Sequence, residues 1–224
     1  MIGAGIIMRP RIFLLLTSIV LLSLPSVCVA QGNKKLEYGI LVDTTGSMRS
    51  QFGVVSVLAK AIVHQVHDHG PISIFNFDSS GMGLGSRAMA VARIEHTQDE
   101  GLLSRTIDDL YVQGGQTTLL DAIKFMGDRL RAQAGATDRI IILITDGEDR
   151  VSTEKQQDLV SKLKDDKISV YAIGLVRELE GGKQSKAIKL LTSITKETGG
   201  SVVFPKGDRI DIQKTLAELS LPIQ

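Results

Sequence analysis

The chain has 224 residues, and its 26 Lys and Arg against 25 Asp and Glu give a formal net charge of +1 at pH 7. A nearly neutral chain without a long basic run lacks the positive surface that holds a phosphate backbone, so we expect no nucleic-acid partner. Its single cysteine, Cys28, lies in an apolar N-terminal segment, which excludes a disulfide from the rest of the chain.

The first 30 residues have the organisation of a secretory signal peptide. Arg9 and Arg11 form a basic region, residues 12–24 are mainly apolar, and residues 27–30 end in alanine. The apolar run is shorter than the roughly 20 residues that span a bilayer. We expect cleavage after residue 30 and export to the periplasm, cell surface or medium, with membrane attachment only if the segment is retained. Met8 is an alternative start, and residues 31–35 form a short N-terminal segment.

Residues 36–219 alternate short apolar runs with amphipathic stretches, as in a doubly wound α/β sheet covered by helices on both faces. This length fits one domain, followed by a tail at 220–224. The strand at 89–96 alternates in polarity, which predicts an antiparallel edge strand joined by a hairpin to its neighbour. The predicted strands are 36–42, 72–77, 89–96, 139–145, 168–175 and 201–204; the predicted helices are 54–67, 99–110, 119–134, 153–166, 185–198 and 210–219.

Three loops carry oxygen-bearing side chains. Asp43, Thr45 and Ser47 follow the first predicted strand, Asp146 follows the fourth, and Thr117 precedes a predicted helix. Ligands of open α/β sheets bind outside the carboxyl ends of the strands, where these loops are expected to converge. Oxygen donors suit Mg²⁺, Mn²⁺ or Ca²⁺ rather than zinc. A second interpretation of residues 43–47, compatible with the first, is an N-cap that satisfies free helix amides.

The loops read Asp-Thr-Thr-Gly-Ser at 43–47, Gly-Gly-Gln-Thr-Thr at 114–118 and Thr-Asp-Gly-Glu-Asp at 145–149. In this order they resemble the metal-ion-dependent adhesion site of the von Willebrand factor type A family, most closely its secreted bacterial members. The family pattern is Asp-x-Ser-x-Ser, then Thr, then Asp, so Thr45 departs from it but keeps the donor oxygen. Gln116 is inserted before the threonines, so either Thr117 or Thr118 faces the ion; we favour Thr117.

The resemblance extends over about residues 36–219 and implies a three-layer, Rossmann-like, mostly parallel sheet with strand order 3-2-1-4-5-6. It also implies a secreted, non-enzymatic module whose metal captures a Glu or Asp carboxylate of a protein partner. The implied metal ligands are Asp43, Thr45, Ser47, Thr117 and Asp146.

Four further residues are expected to support or rim this site: Asp121, Thr118, Gly147 and Glu148. Asp121 stands in the first turn of a predicted helix, where its carboxylate either caps that helix or holds the Thr117 loop. Glu148 is interpreted as part of a charged, solvated turn, with a position at the ion as the alternative.

A phosphohydrolase of the haloacid dehalogenase type is the alternative function, because it too has an Asp after its first strand and binds Mg²⁺. Asp43 would be its nucleophile, but Thr45 stands where that class has a second acid. The glycine-rich stretch 81–85 leads into a predicted strand rather than a helix, so we expect no bound nucleotide. A basic face formed by Lys183, Lys186 and Lys189 is interpreted as ordinary surface.

Overall fold

The computed structural model describes Met1 and residues 35–78, 90–136, 138–207 and 209–223. Residues 2–30 of the predicted signal peptide, the glycine-rich stretch 81–85 and residues 79–89 between the second and third strands lie outside these residues. Asn33–Gln224 is one compact unit that contains the strands and helices described below. Within the described ranges no helix has the length and apolarity needed to cross a membrane.

In the described ranges six strands form one sheet: β1 (Leu36–Asp43), β2 (Ile72–Phe77), β3 (Val91–Thr97), β4 (Asp138–Thr145), β5 (Ile168–Gly174) and β6 (Val202–Val203). Their order is β3-β2-β1-β4-β5-β6, which confirms the expected order. Every neighbouring pair is parallel except β2 and β3, which confirms the antiparallel edge strand. The predicted doubly wound α/β fold is therefore the observed one.

The helices are α1 (Phe52–Val66), α2 (Glu100–Asp108), α3 (Leu119–Ala132), α4 (Gln156–Asp165), α5 (Gly182–Glu197) and α6 (Ile212–Leu219). They form two layers because successive side chains of a strand point to opposite faces of the sheet. Ile40 of β1 packs in the core that contains residues of α1, α2 and α6. Leu41, the next residue, packs in the core that contains residues of α3, α4 and α5.

Differences from the predicted boundaries are concentrated at helix starts. A short 3-10 helix, Gly46–Gln51, runs directly into α1 at Phe52, so helical structure begins well before residue 54. Helix α5 begins three residues earlier than predicted. The predicted alternation of the edge strand is absent from β3, whose residues are exposed or half-buried. Its pairing with β2 contains register shifts, and such irregularities interrupt the two-residue period of a strand.

Both ends of the described domain lie at the edge of the sheet where β1 begins. Leu36 starts β1, and the Tyr38 hydroxyl donates a hydrogen bond of 2.8 Å to the Pro222 carbonyl. Leu221 is buried, so the segment after α6 is packed against the domain. The carboxyl ends of the parallel strands, and with them the candidate site, form the opposite edge.

Candidate metal centre

Asp43 ends β1 and is completely buried. Its Oδ1 accepts hydrogen bonds from the Thr45 amide at 3.0 Å and the Thr45 hydroxyl at 2.7 Å, and its Oδ2 accepts one from the Thr145 hydroxyl at 2.6 Å. The contact with Thr145 arises because β1 and β4 pair in parallel, with Val42 opposite Ile144. Asp43 is thus fixed between the first and third loops.

The first loop brings its three predicted ligands together. The Thr45 hydroxyl that donates to Asp43 also lies 3.1 Å from the Ser47 Oγ. Thr45 is the N-cap residue of the 3-10 helix but makes no side-chain hydrogen bond to its amides. The N-cap interpretation of this loop is therefore wrong, because its side-chain oxygens bond mainly to one another.

Asp146 contributes an unsatisfied acceptor from the third loop. It is 1% exposed, and its Oδ1 accepts a hydrogen bond of 2.9 Å from the Glu148 amide. Its Oδ2 is buried and has no hydrogen-bond partner among the described residues. Gly147 has a φ of +79° and turns the chain here, and a side chain at this position would collide with Leu191. A buried oxygen without a donor is costly, so this carboxylate fits a bound cation.

The second loop is tied to both others through its backbone. The Gln113 amide donates to the Thr44 carbonyl at 3.0 Å, and the Thr117 carbonyl accepts from the Arg150 amide at 3.0 Å. Thr117 and Thr118 are both buried. The Thr118 Oγ1 has no partner within the described part of the chain. Thr117 and Thr118 therefore remain alternative metal ligands, and the preference for Thr117 stays a prediction.

Asp121 joins the second loop to the segment that precedes α4. It lies in the first turn of α3, and its carboxylate accepts hydrogen bonds from the Thr153 amide at 3.0 and 3.1 Å and the Glu154 amide at 2.8 Å. We predicted that Asp121 caps α3 or holds the Thr117 loop; its carboxylate instead binds the segment that precedes α4. Because these contacts hold the chain in a non-helical path up to Lys155, α4 begins at Gln156 rather than at residue 153.

The third loop caps α3 in return. The Asp149 carboxylate accepts a hydrogen bond of 3.0 Å from the Leu119 amide, and the Ser152 hydroxyl accepts one of 3.1 Å from the Leu120 amide. The N-cap residue of α3, Thr118, makes no side-chain hydrogen bond to the helix. Burial raises the pKa of Asp149, against the lowering effect of its hydrogen bonds. Sequence reasoning missed this reciprocal arrangement because its partners lie about 30 residues apart.

Glu148 is buried and ion-paired rather than solvated, so our interpretation of it was wrong. Arg150 binds its Oε2 through Nε at 3.0 Å and through a second guanidinium nitrogen, and the Lys183 Nζ lies 3.2 Å from its Oε1. Burial raises the pKa of Glu148, but the hydrogen bonds and charges of Arg150 and Lys183 outweigh it and hold the pKa below its ordinary value.

A cleft of about 620 Å³ opens beside these groups and is lined by Ser47, Asp146 and Glu148. No group of three or more His, Cys, Asp or Glu residues in the described ranges is arranged to hold a metal. The candidate centre has a different composition, with two carboxylates and several neutral hydroxyls. Such hard oxygen donors are the ligands that Mg²⁺ and Ca²⁺ prefer.

The metal-free protein should lose stability as the pH rises through about 7. Burial, followed by the nearby charge of Asp146, raises the pKa of Asp43 from 3.8 to about 7. A carboxyl group whose pKa is raised by folding stabilises the fold fully below its unfolded pKa, and this contribution is lost as the pH rises through the folded pKa. Thermal unfolding in chelator should therefore show a higher Tm at pH 5 than at pH 8.

Excess Mg²⁺ should raise the Tm at pH 8 more than at pH 5, because a cation and a proton compete for the same carboxylates. The Asp43→Asn variant lacks the titrating group and is the control. An equal pH dependence in this variant would assign the effect to other residues.

A sequence profile of the von Willebrand factor type A domain matches residues 39–217. No curated protein sequence matches the chain. Among solved structures, the conserved hypothetical protein BatB from Bacteroides thetaiotaomicron has a TM-score of 0.62 and 17% identity, with 81% of this chain and 94% of BatB covered.

Two further structures have the same fold. The pilus adhesin SpaC from Lactobacillus rhamnosus GG has a TM-score of 0.63 and 14% identity over 84% of this chain, which spans only 29% of SpaC. An aerotolerance-related membrane protein from Bacteroides fragilis has a TM-score of 0.57 and 17% identity, with 82% of this chain and 98% of that protein covered. The profile covers most of the chain, and the strand order of this chain is the one that the family resemblance implies. The chain therefore belongs to the von Willebrand factor type A family.

Proposed function

We propose that this chain is an exported, non-enzymatic binding module in which a divalent cation captures a Glu or Asp carboxylate of a protein partner. Mg²⁺ is the favoured ion, with Mn²⁺ or Ca²⁺ as alternatives. The observation that carries the proposal is the unpartnered, buried Oδ2 of Asp146 in the same site as the buried carboxylate of Asp43. The proposed ligands are Asp43, Thr45, Ser47, Thr117 and Asp146.

The charges of the site favour a cation over an empty arrangement of the same groups. Burial first, and the nearby charge of Asp146 second, disfavour the ionised form of Asp43 and raise its pKa. A divalent cation would offset both charges and supply the partner that Asp146 lacks. The hydroxyls of Thr45 and Ser47 add no negative charge, so a bound ion would retain attraction for an outside carboxylate. Mg²⁺ in proteins usually keeps water ligands that such a carboxylate can replace.

The same contacts support binding rather than phosphoryl transfer. A nucleophilic Asp43 would need a free, accessible oxygen, whereas it is completely buried and both of its oxygens accept hydrogen bonds. Thr45 donates one of them, in the position where a haloacid dehalogenase has its second acid. The family is generally one of protein-interaction modules, and the structurally similar SpaC is a pilus adhesin. Export is supported by the N-terminal sequence and by this similarity.

The test is a calorimetric titration of Mg²⁺ into chelator-stripped protein, with Thr45→Val compared to Thr44→Val. Valine keeps the shape of threonine and removes its hydroxyl. We expect Thr45→Val to weaken Mg²⁺ binding by about tenfold or more, the range known for changes around metal ligands. The Thr44 hydroxyl donates instead to the Phe77 carbonyl at 3.1 Å and accepts from the Asn76 amide at 2.8 Å.

Thr44→Val should therefore lower stability but leave the Mg²⁺ affinity of the folded protein within about twofold, since its hydroxyl bonds away from the site. Circular dichroism confirms folding of both variants. Absence of saturable binding of Mg²⁺, Mn²⁺ and Ca²⁺ to the wild-type protein would overturn the proposed metal centre.

A further inference from the structure

The rim of the candidate metal centre is divided by charge. On the α5 side lie Arg150, Lys183 and Lys186, which we name the basic rim. Glu178 and Glu180, which precede α5 and line the cleft beside Ser47 and Asp146, form the acidic rim. The two rims meet at this cleft, because Arg150 and Lys183 line it as well. A ligand bound at the metal centre would therefore meet opposite charges on its two sides.

The basic rim keeps an excess of positive charge. Glu148 pairs with Arg150 and Lys183, so these three side chains together carry one net positive charge. Lys186 adds a second, because it is exposed and makes no hydrogen bond or ion pair with any described residue. Asp149 lines the same cleft and offsets one of these charges, so one net positive charge remains, and its Oδ1 is turned inward to the Leu119 amide and the Ser152 hydroxyl.

The basic rim also lines a second cleft, of about 380 Å³, that adjoins the first. Both clefts are lined by Glu148, Arg150 and Lys183, and Lys186 lines only the second. Lys183 uses one contact for Glu148, and an ammonium group has three donors, so it retains capacity for another acceptor. Arg150 likewise binds a single oxygen of Glu148 with two of its five donors.

We propose that the partner presents a second carboxylate beside the one that binds the metal, and that Lys183 and Lys186 bind this second group. The proposed ligand is an acidic peptide segment rather than an isolated Glu or Asp. This inference rests on the proposed function, because the first carboxylate is the one held at the metal. It gives the basic face of α5, otherwise ordinary surface, a role in selecting partners.

The acidic rim sets the direction of such a segment. Glu178 and Glu180 are exposed, and Glu178 also accepts a hydrogen bond of 3.2 Å from the Ser50 hydroxyl. Carboxylates on this side of the ligand would be repelled, whereas basic or neutral residues would be tolerated. Charges arranged in this way contribute more to selection among partners than to affinity.

The first experiment compares three capped peptides, Gly-Gly-Asp-Gly-Gly-Gly, Gly-Gly-Asp-Glu-Glu-Gly and Gly-Gly-Asp-Lys-Lys-Gly, together with their reversed sequences. The peptides are immobilised at equal density, and binding of the full chain is measured by surface plasmon resonance in Mg²⁺ and in chelator. We expect binding to depend on Mg²⁺. At low salt the Asp-Glu-Glu peptide, in whichever of its two orientations binds more tightly, should bind about threefold to tenfold more tightly than the single-acid peptide. Binding of the acidic peptide should weaken as salt is added.

The matched variants are Lys186→Glu and Lys189→Glu, which make the same charge change on one helix. Lys189 is exposed but lines neither cleft. Lys186→Glu should remove the preference for the acidic peptide, while Lys189→Glu should retain most of it and both should bind Mg²⁺ normally. Equal Mg²⁺-dependent binding of all peptides, or equal effects of the two variants, would overturn the inference and leave the proposed function intact. Failure of every peptide to bind in a Mg²⁺-dependent way would overturn the proposed function and the inference together.

Discussion

Replacing Asp43 with Asn is expected to reduce Mg²⁺ affinity by about a hundredfold or more while the fold is retained. The change removes one of the two buried charges that attract the cation. The number of charged ligands strongly affects the affinity of such sites for the cation. Asparagine nearly preserves the shape of aspartate, so its oxygen can still accept the hydrogen bonds from Thr45. Alanine would leave both the Thr45 amide and the Thr145 hydroxyl without their acceptor, whereas asparagine alters only the Thr145 contact, where its NH2 group replaces the accepting oxygen.

The same substitution should stabilise the metal-free protein at pH 8. Burial, and then the charge of Asp146, disfavour ionised Asp43 in the fold and raise its pKa from 3.8 to about 7. A difference of this size corresponds to roughly 4 kcal/mol, which the neutral amide avoids. Chemical unfolding in chelator at pH 8 should therefore give a larger free energy of unfolding for Asp43→Asn than for the wild type.

Calorimetry with Mg²⁺ and unfolding in chelator test opposite effects of Asp43→Asn, because the variant should lose Mg²⁺ affinity and gain stability. Unchanged Mg²⁺ affinity would contradict the ligand assignment of Asp43. Phosphatase activity on p-nitrophenyl phosphate that is present in the wild type and lost in Asp43→Asn would instead support the haloacid dehalogenase alternative.

Replacing Asp121 with Ala should destabilise the protein by about 2–4 kcal/mol, because its carboxylate is the acceptor for the amides of Thr153 and Glu154. The second and third loops would lose one half of their reciprocal connection. We therefore also expect Mg²⁺ affinity to fall by about tenfold to a hundredfold, although Asp121 is not a proposed ligand. Urea unfolding and calorimetry measure the two effects.

Asp158→Ala is the matched control for Asp121→Ala. Asp158 lies in the first turn of α4 and is exposed, so its loss should change stability by about 0.5 kcal/mol or less. The loss of stability in Asp121→Asn should lie between the losses in the two alanine variants, since asparagine keeps one acceptor oxygen. A wild-type Mg²⁺ affinity in folded Asp121→Ala would show that the connection between the loops does not position the metal ligands.

The sheet and the meeting of its loops could be predicted because the relevant signals are local. Residues 140–144 are all Ile or Leu, which is typical of a strand covered on both faces. A parallel pair of such strands places Asp43 and Asp146 at one edge without further information. The strand order came from the family resemblance, and the structure has the same order.

The missed features depend on contacts between distant residues. Nothing near Glu148 in the sequence indicates that Lys183, 35 positions later, will bind its carboxylate. The start of α4 could not be predicted from helix signals alone, because the side chain of Asp121 determines the path of residues 153 and 154. The signal for Asp149 was present as an acid close to a helix start, but the helix that it caps is α3 rather than α4.

The packing of the segment after α6 against the beginning of β1 determines how the domain can be displayed. The Tyr38 hydroxyl joins Pro222 at the edge where Leu36 enters the sheet, whereas Asp43 lies at the other end of the strand. Eight residues of extended chain separate these edges by about 25 Å. A tether attached at either end of the domain would therefore leave the edge with the candidate metal centre facing outward, so anchoring and the proposed partner capture would not compete for the same surface.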